Sequence, residues 1–281
     1  MVTLEKEKSI FKFDRATIEL VVVVAIVIGS LLFVAIVYLT QFFPEEEGGL
    51  LFTDIVPVFF ALGAVVASFF VSLKIYGQKT LNGKIWLYIA IGTLFGAIGE
   101  FTWFYYEIIL EIDPYPSIAD VAWIISYPIL TLAFVKANQL IKTKLSKEML
   151  ILFAVISGIC VVAIFLIVVL PIATFPVGED FSMAEKVVSI LYPVLDIFLF
   201  LFAFLLLLRF KGAKISFAWF LLAVSHLMDV FTDSWFSYLD WEEIYFTYHP
   251  VDLLWIVSYA LIVIAAYYLR YASNRKQLMR L

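Results

Sequence analysis

Eight apolar segments punctuate this chain, at about 17–43, 51–75, 84–111, 117–142, 148–173, 183–209, 214–240 and 250–271. A bilayer core of about 30 Å takes roughly 20 residues of helix, and each segment meets that length. A backbone in lipid must satisfy its own hydrogen bonds, so runs of this kind fold as helices. The expected fold is all-α, a polytopic membrane protein of eight transmembrane helices, with the lipid bilayer as its first partner.

Composition agrees. Hydrophobic residues make up 64% of the 281 positions and charged residues 15%, where soluble domains carry about a quarter charged. The mean hydropathy is +1.03. The single cysteine, Cys160, lies in an apolar run and excludes an intramolecular disulfide or a cysteine-built metal cluster. The first apolar run is longer than the roughly 7 to 15 residues of a signal-peptide core, so it reads as a retained helix.

The chain also repeats itself. Residues 99–127 fall without a gap on residues 231–259, 132 positions later. Trp103/Trp235, Phe104/Phe236, Tyr106/Tyr238, Glu111/Glu243, Asp120/Asp252, Trp123/Trp255, Ser126/Ser258 and Tyr127/Tyr259 are identical pairs. The same shift carries the first four segments onto the last four. This predicts a tandem duplication of a four-helix unit, residues 1–147 and 148–281, with both units inserted in one orientation about an axis along the membrane normal.

Basic residues set the expected topology. They cluster before helix 1, after helix 8 and in the second, fourth and sixth connections, with Lys186 alone on the other side. The positive-inside rule therefore predicts both termini in the cytoplasm of a cell-membrane protein. The opposite connections are acidic (Glu45, Glu46, Glu47, Glu111, Asp113, Glu179, Asp180, Asp240, Glu242, Glu243) and would attract cations within a Debye length of about 8 Å.

Helical spacing lines up the embedded polar residues. The third helix offers Glu100, Trp103 and Glu107, and the seventh His226, Asp229 and Asp233. The fourth and eighth offer Asp120, Trp123, Tyr127 and Asp252, Trp255, Tyr259, and the sixth Tyr192 and Asp196. At 1.5 Å per residue His226 lies about 18 Å from Lys214, and Asp196 about 20 Å from Arg209, near the bilayer centre. A charge there costs at least about 2.5 to 3.5 kcal/mol, so these groups are expected to face each other, water or a ligand. The predicted site is an outward-open acidic and aromatic cavity. Its floor is Glu100, Asp196, His226 and Asp229, and its walls are Asp120, Asp252 and the aromatic residues, with Asp233 and Trp235 also lining it.

Three uses compete for such a cavity. Carboxylates among Trp103, Trp123, Trp235 and Trp255 would hold an organic cation, with cation–π contacts of about 0.5 to 2 kcal/mol. Asp196, His226 and Asp229 would supply a mixed shell for a metal, or a proton site. A hydrogen-bonded network would only fix helix packing. No hydrolase, nucleotide-binding or zinc-protease motif occurs, and two histidines are too few for a three-histidine zinc centre, so no catalytic residue is assigned. The short basic loops are explained by topology and give no basis for nucleic-acid binding.

The stretches PYPSIADVAWIISYP (114–128), YPVLD (192–196) and DLLWIVSYAL (252–261) resemble the multi-pass N-terminal membrane sensor modules of prokaryotic signalling proteins of the diguanylate cyclase and histidine kinase types. The resemblance implies a sensory input role. With Leu281 soon after helix 8 and no output domain, it implies a separate cytoplasmic signalling partner. The leading expectation is a non-enzymatic sensory or small-ligand-binding membrane protein. A transporter of a cation or protonated solute is the alternative, and a metal-dependent membrane hydrolase the second alternative.

Overall fold

A computed structural model describes residues 15–44, 48–112, 114–141, 144–176, 182–209, 216–242, 244–246 and 248–278. Among them all regular structure is helical: α1 (Arg15–Thr40), α2 (Gly49–Phe70), α3 (Leu81–Phe104), α4 (Ile118–Leu140), α5 (Lys147–Ile164), α6 (Met183–Arg209), α7 (Ser216–Trp241) and α8 (Asp252–Leu278). Three run on through π-helical turns: α2 over Val71–Tyr76, α3 over Tyr105–Ile109, and α5 over Phe165–Val169 before a last turn at Leu170–Thr174. Seven of the eight are long and apolar enough to cross a membrane. The other is α7, 26 residues long, whose stripe of His226, Asp229 and Asp233 lowers its hydropathy. Helix 8 runs further than the apolar segment predicts, to Leu278.

Six helices pack in a closed cycle: α2 on α3, α3 on α4, α4 on α6, α6 on α7, α7 on α8, and α8 back on α2. Shifting α2, α3 and α4 onto α6, α7 and α8 reproduces the same neighbours. The two remaining helices break the pattern, since α1 lies against α8 and α5 against α6, with its π-helical turn also touching α7. Ile26, Phe33 and Ile36 of α1 and Ile151, Ile159 and Val162 of α5 are exposed, as suits faces turned to hydrocarbon.

The two ends of the ring differ in chemistry. Where α3 and α7 begin and α2, α4, α6 and α8 end, the interior is apolar, built on Trp86, Phe134, Leu206, Leu222 and Ile262, all nearly inaccessible. Trp86 of α3 meets Trp219 of α7 with ring centroids 6.1 Å apart. Asn138 of α4 donates to the Phe202 carbonyl of α6, and Arg209 donates to the Asn138 carbonyl, tying those helices together at this end. At the opposite end the interior is polar, and every carboxyl group of the candidate site lies in it or at its mouth.

Pro57, Pro128 and Pro193 lie inside α2, α4 and α6 as expected. The π-helical turns fall elsewhere in the helices. The turn at Tyr105–Ile109 holds Glu107, and its extra residue per turn re-aims that side chain relative to a regular helix.

Candidate functional site

Glu100 and Asp233 face the interior from α3 and α7, and each is held from both halves of the chain. The Tyr259 hydroxyl of α8 donates to Glu100 Oε1 at 2.9 Å, and the Trp123 indole N–H of α4 is directed at the same carboxylate. The Trp255 indole of α8 donates to Asp233 Oδ1 at 2.6 Å, and the Tyr127 hydroxyl of α4 donates to Asp233 Oδ2. Each carboxylate thus accepts a phenol from the other half of the chain and has an indole of its own half beside it. The local sequence makes room for this arrangement. A Cβ at Gly99 would stand 2.5 Å from Trp123 Nε1 and one at Gly96 3.3 Å from the Tyr259 hydroxyl, so glycine on this face of α3 lets both aromatics approach.

Asp196 lies beneath Asp233. It is wholly buried, and neither carboxylate oxygen has a hydrogen-bond partner; its neighbours are Asp233, Tyr127 and Asp229. His226 is 2% exposed, with Nδ1 at 3.0 Å from Asp229 Oδ2, Nε2 unpartnered, and its ring edge-on to Phe134 at 5.2 Å. Glu100, Asp229 and Asp233 are only partly covered, the Asp229 side chain being 22% exposed. Among the described residues no Lys or Arg pairs with these groups, and His226 meets Asp229 through the Nδ1 hydrogen bond.

A second group sits nearer the ring's polar mouth. Asp54 of α2 lies against Glu107 with Oδ2 buried and unpartnered, and the Trp103 indole donates to Glu107 Oε2 at 2.5 Å. Asp252, the first residue of α8, accepts from the Tyr245 hydroxyl at 3.0 Å. Burial beside Asp252 holds the Tyr245 phenol above its ordinary range, so it remains a donor. Glu100 stands between the two groups, within electrostatic reach of Asp54 and Asp252 on one side and of Asp229 and Asp233 on the other.

One residue expected in the cavity walls, Asp120, serves a helix end as well. Asp120 accepts the Ser117 backbone N–H at 2.7 Å while Ser117 Oγ accepts from Ala119 N, forming a capping box at the start of α4, and Tyr192 donates to Asp120 at 2.8 Å. At the matching point before α8, His249 Nδ1 accepts the Val251 N–H at 3.2 Å. Serine and histidine thus perform the same i to i+2 capping at positions 132 apart.

Several of the indoles expected in the cavity turn their N–H edges to carboxylates. Trp103 and Trp255 spend their N–H edges on carboxylates, Trp123 aims its edge at one, and Trp103 packs on Trp123 at 5.8 Å. Trp235 is 37% exposed and packs on Phe231 and His249. Among the described residues no three His, Cys, Asp or Glu side chains converge closely enough to hold a metal ion, so Asp196, His226 and Asp229 do not stand as a ready shell. Asp54 and Tyr245 were not singled out from the sequence. Asp54 had a signal, as the one charge between Gly49 and Leu73. Tyr245 lies in a connection without helical periodicity and had none. Comparison of the chain with protein-family models, curated proteins and solved structures finds no match.

Proposed function

We propose that this is a non-enzymatic integral membrane protein that crosses the bilayer eight times, with both termini in the cytoplasm, and binds a small cationic ligand inside its six-helix ring as a sensory or ligand-binding module. In this reading the two halves descend from a duplicated four-helix unit. The repeated capping at Ser117 and His249 and the shared neighbours of α2–α4 and α6–α8 support that origin. The separate cytoplasmic signalling partner implied by the resemblance remains part of the proposal.

One observation carries the ligand class. Glu100, Asp196, Asp229 and Asp233 meet inside the ring with no Lys or Arg paired to them among the described residues. Carboxyl groups gathered in a low dielectric need compensating positive charge, which a cation or protons supply. Tryptophan fluorescence provides the test, since Trp123 and Trp255 adjoin the carboxylates. Titration with ethylammonium should give a saturable change that neutral ethanol does not produce and that Asp229→Asn abolishes. Identical responses to the two probes would sink the reading.

A transporter of a cation or protonated solute is the second reading, favoured by the two carboxyl groupings placed in series with Glu100 between them. It predicts ethylammonium accumulation in proteoliposomes under an imposed gradient. Binding without flux leaves the sensory module.

A further inference from the structure

Asp196 and Asp233 present a carboxyl oxygen to a carboxyl oxygen. Asp196 is 0% exposed and neither oxygen has a hydrogen-bond partner, because the donor beside it, the Tyr127 hydroxyl, is given to Asp233. Its titratable surroundings are Tyr127 from α4 and Asp229 and Asp233 from α7, with His226 one turn below Asp229 and Glu100 of α3 beyond Asp233. On its other flank α5 carries only Cys160 between its ends. Two acceptors facing each other in a buried place make no hydrogen bond until one brings a hydrogen of its own. Asp54 and Glu107 repeat the situation at the ring's polar mouth, with Asp54 Oδ2 again buried and unpartnered.

We propose that the ring contains a proton-transfer line: Asp196 and Asp233 share one proton, Asp54 and Glu107 share a second, and Glu100 passes protons between the pairs. Each transfer moves a proton from a carboxylic acid to a carboxylate through intervening water, leaving the donor as carboxylate. The partial exposure of Glu100, Asp229 and Asp233 admits that water. Below Asp196 the line ends at the apolar plug of Phe134, Leu222, Trp86 and Trp219, so exchange runs through the polar mouth alone. The inference deepens the proposed function by naming the proton as an occupant of the same site, exchanged when a cation binds.

Infrared spectroscopy of the full chain in lipid nanodiscs without added ligand tests the line. At neutral pH two carboxylic-acid C=O bands are expected, both shifting in D2O. The inner band should move with carboxyl-13C aspartate but not with 13C glutamate, and the outer band with either label. Asp196→Asn should remove the first and Asp54→Asn the second. Glu100→Gln should leave both bands and slow deuterium exchange of the inner one several-fold. Absence of carboxylic-acid absorption, or an inner band indifferent to labelled aspartate, overturns the shared protons, and labelling decides this even where a variant fails to fold. Unchanged exchange in Glu100→Gln overturns the relay. Bands present alongside a failed ethylammonium titration would remove the ligand reading and leave the proton line standing.

Discussion

Tyr127 and Tyr259 occupy equivalent places in the two halves of the chain, and each gives its hydroxyl to a carboxylate of the other half, Asp233 and Glu100 respectively. A hydrogen bond to a charged group contributes about 1.5 to 3 kcal/mol. Tyr259→Phe and Tyr127→Phe should therefore each lower stability by about that amount in thermal unfolding, with steric fit retained. The double variant should depart from additivity by more than about 0.5 kcal/mol, because both bonds join the same two bodies. Strict additivity would mean that the clamps act independently.

Asp196→Asn should behave in the opposite way. The amide supplies from its own N–H the hydrogen that the shared proton supplies between Asp196 and Asp233, without a buried titratable group. Stability should hold or rise while the fluorescence response to ethylammonium is lost. A marked fall in melting temperature would mean that the amide does not replace the shared proton.

Gly99→Ala places a methyl 2.5 Å from the Trp123 nitrogen. The indole must move away from Glu100, at a cost of about 1 to 3 kcal/mol for overpacking. A shift in tryptophan emission should accompany the loss. Gly29→Ala, where a Cβ meets nothing within 4 Å, is the control and should be silent.

His249 accepts the Val251 N–H ahead of α8 only while Nδ1 is unprotonated, and burial holds its imidazole below the ordinary value. The neutral form is thus favoured on folding. Its contribution is complete above the ordinary histidine value of about 6.5 and declines as pH falls from there through the lowered native value. His249→Ser, which installs the acceptor found at Ser117, should flatten that pH dependence and keep the cap. His249→Ala should cost about 1 kcal/mol at neutral pH.

Asp120→Ala removes the reciprocal half of a capping box and the acceptor of Tyr192. A loss of about 1 to 2 kcal/mol is expected in unfolding, with ethylammonium binding intact. Binding lost together with stability would move Asp120 from the helix end into the site.

The helices were legible because long apolar runs between polar connections fold as helices, and the expected ends lie within a few residues of most observed ones. Which helices adjoin was not legible, since adjacency of α4 with α6 and of α8 with α2 leaves no periodic trace in either segment. The reciprocal clamps were hidden for a sharper reason. The 132-residue shift sets Glu100 opposite Thr232 and Phe101 opposite Asp233, one position out of step, so an alignment by identity passes over the pair. Stripes found Asp196, His226 and Asp229 because midplane charges are rare, but spacing along a helix cannot distinguish a cavity wall from a cap. Asp120 was separable only once the backbone around it was placed.

The cross-connected tyrosines have a mechanical consequence. Sliding one half against the other by a single hydrogen-bond length withdraws a donor from Glu100 and from Asp233 in the same stroke, though these carboxyls belong to different halves. Neither can be released alone by such a movement. The two bonds therefore act as one constraint between the halves, and loss of either should loosen the other.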